Sequence, residues 1–98
     1  MSEFLVEIAI DLPDDHPADD LAIRRAEEGI RAAELAAAGH LVRLWRPDGP
    51  GWRNLGLWRA DDEAHLRAII ATLPMNLFMT LDVRPLDSHP NDPGATAD

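Results

Sequence analysis

The chain has 98 residues, with 9 basic and 18 acidic side chains and a formal net charge of −9 at pH 7. That charge argues against nucleic acid and membrane surfaces as partners, because both are anionic and would repel it. Cysteine, lysine and tyrosine are absent, which excludes disulfides, Cys-ligated zinc, Schiff-base chemistry and a phenolic acid, so proton transfer would fall to Asp, Glu or one of the histidines.

The first segment, residues 3–12, alternates in the pattern of a half-buried strand. Phe4, Val6 and Ile8 fall on one face, and Pro13 ends the strand. The segment lacks both the basic start and the uninterrupted apolar run of a signal peptide, and no run in the chain reaches the length of a membrane span. We therefore expect a cytoplasmic protein.

The next segment predicts a long helix that begins near Pro17 and ends before Gly39. Its apolar residues form two stripes on nearly opposite sides. We expect the first stripe to face the core and the second to meet another subunit or a pocket. The first comprises Ile23, Ala26, Ile30, Ala33 and Ala37, and the second comprises Leu21, Glu28, Ala32 and Leu35.

Glu28 is the charged residue in the middle of the second stripe. If that stripe is covered, the carboxylate is partly removed from water, and its pKa rises toward the range useful to a general base. The alternative is an exposed carboxylate paired with Arg24, Arg25 or Arg31 at helical spacing. Spacing alone favours the alternative, because runs of charge are usually solvated faces.

The remaining elements complete the order βαββαβ. Residues 40–46 and 53–58 predict an antiparallel hairpin, a second helix runs from Asp61 or Asp62 to Pro74, and residues 78–86 predict a last strand. This order is typical of the α+β ferredoxin-like sandwich, an antiparallel four-stranded sheet with two helices on one face. We assign residues 1–86 to one such domain and residues 87–98 to a Pro/Asp-rich C-terminal tail. The partly apolar open face predicts a homo-oligomer.

The hairpin contains all three tryptophans and a group of arginines. Trp45 and Trp58 lie within strands and are predicted to be core or interface anchors, whereas Trp52 lies near the loop and could stack on a flat ligand. The arginines either clamp an anionic substrate or pair with the chain's many acids. These arginines are Arg43, Arg46, Arg53 and Arg59.

Other catalytic and binding motifs are missing. The histidines are far apart and show no metal-ligand spacing, so we expect no metal site. The GPGW loop lacks the lysine of a phosphate-binding loop, and no G-x-S-x-G motif marks a serine nucleophile.

Taken in order, the motifs LWR at 44–46, Asn54, LP at 73–74, MTLDVRPL at 79–86 and HP at 89–90 resemble the muconolactone delta-isomerase family. The resemblance extends from residue 10 to residue 90. It implies a ferredoxin-like enzyme that uses no cofactor or metal and assembles into a decamer with sites between subunits. That family isomerises (+)-muconolactone to 3-oxoadipate enol-lactone in catechol breakdown, and some relatives dehalogenate a chloromuconolactone.

The family's helix pattern A-[DS]-E-K falls on residues 26–29, so its glutamate corresponds to Glu28. Three positions depart from the family: Gly29 replaces a lysine, Trp52 replaces a tyrosine, and Leu77 replaces a proline. A histidine common in the hairpin loop is also missing. These changes surround the implied site, so a different lactone is an alternative substrate.

The resemblance and the residues together predict an isomerase that moves one proton along an unsaturated, anionic lactone. Glu28 is the predicted base. The alternatives are a lactone dehalogenase, a cofactor-free monooxygenase, or a non-catalytic module that binds small molecules. The other predicted roles are Asn54 or Trp52 as donor and wall, Arg46 or Arg53 as the clamp for the substrate carboxylate, and His40 or His89 as the group that returns the proton.

Overall fold

The computed structural model describes residues 1–94. The last four residues of the predicted tail, 95–98, lie outside the described residues. The sheet has the order β2-β3-β1-β4, with every neighbouring pair antiparallel. The predicted ferredoxin-like α+β fold is thereby confirmed. The elements are β1 (Ser2–Ile10), α1 (Ala18–Ala37), β2 (Leu41–Trp45), β3 (Trp52–Ala60), α2 (Glu63–Ile70), a short 3₁₀ turn (Asn76–Phe78) and β4 (Met79–Leu86).

The core lies between one face of this sheet and the two helices. Alternate residues of β1 are buried on that face, and their β3 partners follow from the register, in which Phe4 opposes Trp58 and Ile8 opposes Asn54. Successive side chains of a strand point to opposite faces, so Asn54, Gly56 and Trp58 all face the helices. The fully or nearly fully buried residues are Phe4, Val6, Ile8, Ile10, Leu35, Trp58, Ala60, Leu66, Ile69, Ile70, Leu73 and Met75.

Helix α1 ends at Ala37, before Gly39, as predicted. Gly39 has a φ of +86°, a conformation that glycine adopts without steric cost. Its N–H donates to the carbonyl of Ala36, and the N–H of His40 donates to the carbonyl of Leu35. This pair of bonds is the Schellman motif, which satisfies carbonyls at the helix end.

The predicted core face of α1 is wrong. Ile23 and Ile30 are 60% and 65% exposed, whereas Leu35 from the other stripe is 3% exposed and Leu21 packs against the core. Periodicity fixes the angle between two stripes on a helix but not which of them meets the sheet. Glu28 therefore lies on the side of α1 that faces the sheet, and the stripe containing Ile23 and Ile30 is open.

A bulge interrupts the pairing of β2 with β3. Leu41 opposes Trp58 and Leu44 opposes Gly56, with a register shift between Leu41 and Arg43. An extra residue in one strand changes which side chains reach each face. Leu41 and Leu44 consequently both face the helices, although they are three positions apart.

No helix within residues 1–94 is long and apolar enough to cross a bilayer.

Candidate active site between helix α1 and the sheet

Glu28 is half-buried beneath α1. The backbone N–H of Met75 donates a hydrogen bond of 2.9 Å to its Oε1. This bond crosses from α1 to the segment that follows α2, so it holds one carboxylate oxygen in place. Since a carboxylate has two oxygens and several lone pairs, the second oxygen stays available to a ligand.

The predicted alternative, in which Glu28 pairs with a neighbouring arginine, is wrong. Arg24 donates to Asp20 and to the carbonyl of Pro74, and Arg31 donates to Thr72 and Glu34. Arg25 lies over an aromatic ring instead. Within residues 1–94, Glu28 forms no ion pair.

Burial is the larger effect on the Glu28 carboxyl, and it raises the pKa above the ordinary value of 4.5. Loss of hydration disfavours the charged form of an acid. The hydrogen bond from Met75 acts in the opposite direction, because it favours the carboxylate and lowers the pKa. The group is thus a stronger base than an ordinary glutamate, as proton abstraction near neutral pH requires.

Glu28 borders a small cavity between α1 and the sheet, which we call the Glu28 cavity. It encloses about 40 Å³, enough for water but too little for a ring-sized ligand. Glu28 and Asn54 are its polar side chains, together with the indole of Trp58. The apolar lining residues are Ile8, Ala32, Leu41, Leu44, Leu73 and Met79.

A larger, open pocket of about 260 Å³ lies near the hairpin loop, and we call it the cationic pocket. Arg25, Arg46, Trp52 and Arg53 line it together with Gly51. The guanidinium of Arg25 lies 5.0 Å from the centre of the Trp52 ring, within the range of a cation–π contact. None of these arginines forms an ion pair with a described carboxylate, so their charge is available to an anion.

A third, shallow depression adjoins these two spaces. It shares Leu44 and Asn54 with the Glu28 cavity, and it shares Arg46 with the cationic pocket. Glu28 and Arg46 therefore line neighbouring depressions, which adjoin at Leu44 and Asn54. Such an arrangement suits a small anion whose reactive carbon is separated from its negative group.

The other two hairpin arginines are engaged elsewhere. Arg59 donates to Glu3 at 3.2 Å. It therefore pairs with one of the chain's acids, which was one of the two roles predicted for these arginines. Arg43 lies over the Trp45 ring at 5.0 Å, and Trp45 is on the open face of the sheet. The clamp that the hairpin offers is thus limited to Arg46 and Arg53, with Arg25 added from α1.

The two histidines predicted to return the proton do not line either space. Nδ1 of His40 lies 2.9 Å from the carbonyl oxygen of Arg59, and its ring contacts His65 edge-on. His89 lies in the segment after β4, where its Nδ1 accepts a hydrogen bond from the N–H of Asn91. Within the described part of the chain, no three His, Asp or Glu side chains converge as metal ligands would.

Sequence reasoning missed two site residues. The sequence indicates Arg25 only as a partner for Glu28, although its position one turn before Glu28 on the helix is a signal that both residues can reach one site. Trp58 was predicted to be a core or interface anchor, and it is buried, but it also lines the Glu28 cavity. No local pattern distinguishes a tryptophan that lines a cavity from one that only fills the core.

The sequence is similar to one protein family, and to individual members of it, over most of its length. A model of the muconolactone delta-isomerase family matches residues 2–92. The chain is 30% identical over 86 residues to muconolactone delta-isomerase 2 of Acinetobacter lwoffii, covering 88% of each protein. It is 28% identical over 88 residues to muconolactone delta-isomerase of Cupriavidus pinatubonensis, covering 90% of this chain and 95% of that one.

Similarity of fold is equally extensive. A crystal structure of muconolactone isomerase superposes with a TM-score of 0.84, covering 96% of this chain and 97% of the other, at 24% sequence identity. The family match includes every strand and helix described above, and the predicted resemblance is confirmed. The chain belongs to the muconolactone delta-isomerase family.

Proposed function

We propose that the protein is a cofactor-free isomerase that converts (+)-muconolactone to 3-oxoadipate enol-lactone, a step of catechol breakdown. The observation that carries the proposal is Glu28, a half-buried carboxylate without an arginine partner among residues 1–94. The depression that adjoins its cavity also adjoins the cationic pocket. Family membership supports the reaction type. The substrate is a small anion, which the positive charge of the cationic pocket suits.

The proton shift needs one base and no redox change. Glu28 removes the proton from the ring carbon that bears the ring oxygen. The electron pair of that C–H bond forms a new C=C bond, and the conjugated C=C and C=O bonds shift so that the negative charge gathers on the carbonyl oxygen. The carbon next to the carbonyl then receives the proton, which restores the C=O bond. Glu28 can return the proton itself, since neither His40 nor His89 lines the cavity.

The remaining residues hold the substrate. Arg46 binds the side-chain carboxylate, with Arg53 and Arg25 adding positive charge and Trp52 forming a flat wall. Asn54 lies between this pocket and Glu28, where its amide can donate to the lactone. A bidentate guanidinium contact fixes orientation as well as charge, and orientation brings the reacting C–H bond to the carboxylate.

We further propose that the working form is a homo-oligomer, a decamer as the resemblance implies. The open stripe of α1 and several exposed apolar side chains, including Leu44, Trp45 and Leu77, support this proposal. The Glu28 cavity is too small for a lactone in one chain, so a second subunit would complete the site along its open side. Sizing by light scattering across a range of concentrations tests the assembly, and a monomer at all concentrations would contradict it.

The reaction is tested by the ultraviolet absorbance change of (+)-muconolactone with wild type, Glu28→Gln and Glu27→Gln. The amide oxygen introduced by Glu28→Gln still accepts the Met75 hydrogen bond, so the fold should persist. We expect Glu28→Gln to lower kcat by at least about 100-fold, since general base catalysis contributes that much. Glu27→Gln makes the same chemical change at the exposed neighbouring position and should leave kcat unchanged.

Each contrary outcome has a defined meaning. Turnover that survives Glu28→Gln would remove Glu28 as the base. If wild type does not isomerise muconolactone, chloride release from a chloromuconolactone would indicate the dehalogenase, and oxygen uptake would indicate the monooxygenase. Binding of lactones without any turnover would indicate a ligand-binding module.

A further inference from the structure

One indole N–H in the core has no hydrogen-bond partner among residues 1–94. Trp58 is 2% exposed, and its Nε1 finds no hydrogen-bond acceptor among the described residues. Buried polar groups in folded proteins are nearly always paired, so an unpaired donor requires an explanation. Trp58 also lines the Glu28 cavity, but its Nε1 has almost no accessible surface in one chain, so a ligand atom meets this donor only after the lining side chains move.

The packing around Gly56 shows which way the indole lies. A Cβ on Gly56 would be 2.5 Å from Trp58 Nε1 and 3.1 Å from its Cδ1. The N–H edge of the indole therefore leans along β3 over Gly56, in the direction of Asn54. Trp58 and Asn54 both line the Glu28 cavity, so the N–H edge lies along the wall between them. Only glycine at position 56 leaves room for it.

We propose that Trp58 Nε1–H donates a hydrogen bond to the carbonyl oxygen of the lactone as negative charge gathers there. The inference rests on the proposed function and adds a catalytic residue to it. In this arrangement Glu28 contacts the substrate from the helix side of the cavity, and Trp58 contacts it from the sheet side. A fixed donor in a site without water stabilises developing charge more than the same donor in water.

An indole is suited to this place because it donates without carrying charge. An arginine or lysine at the same position would pair with Glu28, favour its carboxylate form and weaken it as a base. The indole N–H also cannot lose its proton at ordinary pH, so it remains a donor throughout the cycle. No oxidant or reductant is involved, since the proton and the electron pair stay within the substrate and Glu28.

The first test is Trp58→Phe, which keeps an aromatic ring and removes the N–H. We expect kcat to fall by about 100-fold, as for loss of one donor to a developing oxyanion, with a much smaller change in KM. Phe4→Leu is the matched control, because Phe4 is buried opposite Trp58 in the sheet and does not line the cavity. That variant should lose thermal stability but keep its kcat. Unchanged kcat in folded Trp58→Phe would overturn the inference.

A second test measures the hydrogen bond directly and does not need turnover. The ¹⁵N–¹H spectrum of the labelled protein contains three indole signals, one for each tryptophan, and Trp58→Phe identifies the one from Trp58. The probe is the saturated lactone with the same skeleton as muconolactone, which can bind but cannot isomerise. We expect the Trp58 indole proton to move downfield on saturation with this probe. If the probe binds and this signal does not move, the inference is wrong.

The two tests separate the inference from the proposed function. Wild-type isomerisation with a normal kcat in Trp58→Phe would retain the function and overturn the donor role. A downfield shift of the Trp58 signal in a protein that does not isomerise muconolactone would overturn the function and retain Trp58 as a contact to the lactone carbonyl. If the protein neither binds the probe nor isomerises muconolactone, both are overturned.

Discussion

The same substitution, glycine to alanine, should have opposite effects at two positions of this chain. Gly29 lies within α1, and a Cβ placed on it would meet no atom within 4 Å. Gly56 lies within β3, and a Cβ there would be 2.5 Å from Trp58 Nε1. The pair therefore separates the backbone effect of glycine from the effect of steric space.

At Gly29 the backbone effect acts alone. Alanine is favoured over glycine inside a helix by about 1 kcal/mol, so Gly29→Ala should raise the free energy of unfolding by that amount. For a domain of this size, about 1 kcal/mol corresponds to roughly 4–8 °C in the unfolding midpoint.

At Gly56 the steric effect is larger than the backbone effect. Replacing glycine in a strand gains roughly 0.5–1 kcal/mol, but an added methyl group in a close-packed core costs about 1–3 kcal/mol. Trp58 is 2% exposed, so its indole has little room to move away. We expect Gly56→Ala to lower the free energy of unfolding by about 1.3 kcal/mol, the difference between the middle values of those two ranges.

Thermal unfolding by circular dichroism measures both variants. All proteins must be compared at one protomer concentration, since assembly makes the midpoint depend on concentration. Gly56→Ala with a midpoint equal to or above that of wild type would refute the close packing of Trp58 over Gly56. Gly29→Ala with a lowered midpoint would refute the open surroundings of position 29.

Two further predictions concern the charges of the site. Burial raises the pKa of Glu28, so the stability from this group is complete below the ordinary pKa of 4.5 and is lost as pH rises through the folded value. The free energy of unfolding of Glu28→Gln, measured in urea relative to wild type, should therefore be higher at about pH 7 than at about pH 4. The same difference from wild type at both pH values would contradict this prediction. Glu27→Gln is the control, because it removes a carboxylate at an exposed position. Arg46→Gln should raise KM for muconolactone by at least about 10-fold, because the loss of one hydrogen bond between charged groups weakens binding by about that factor. The value of kcat should change little. Arg59→Gln, which breaks only the pair with Glu3, is its control, and equal KM values in the two variants would remove Arg46 as the clamp.

Some features of this protein follow from the sequence alone. The alternation of β1, the turn at Gly39 and the order of the elements are local signals, because strand and helix periods and turn residues are properties of short segments. They predict the fold and the end of α1 correctly. The position of its carboxylate within an apolar stripe also indicates Glu28 as a candidate catalytic residue.

Other features required the tertiary structure. Periodicity could not decide which stripe of α1 meets the sheet, and the predicted choice was wrong, since that choice depends on how the helix packs and not on its own spacing. The bulge that brings both Leu41 and Leu44 to the Glu28 cavity is a property of the β2–β3 register. The approach of the Trp58 indole to Gly56, and of Arg25 to Trp52, depends on side chains from different positions meeting in space. Local pattern names the residues that can do chemistry, and only packing decides which of them share a site.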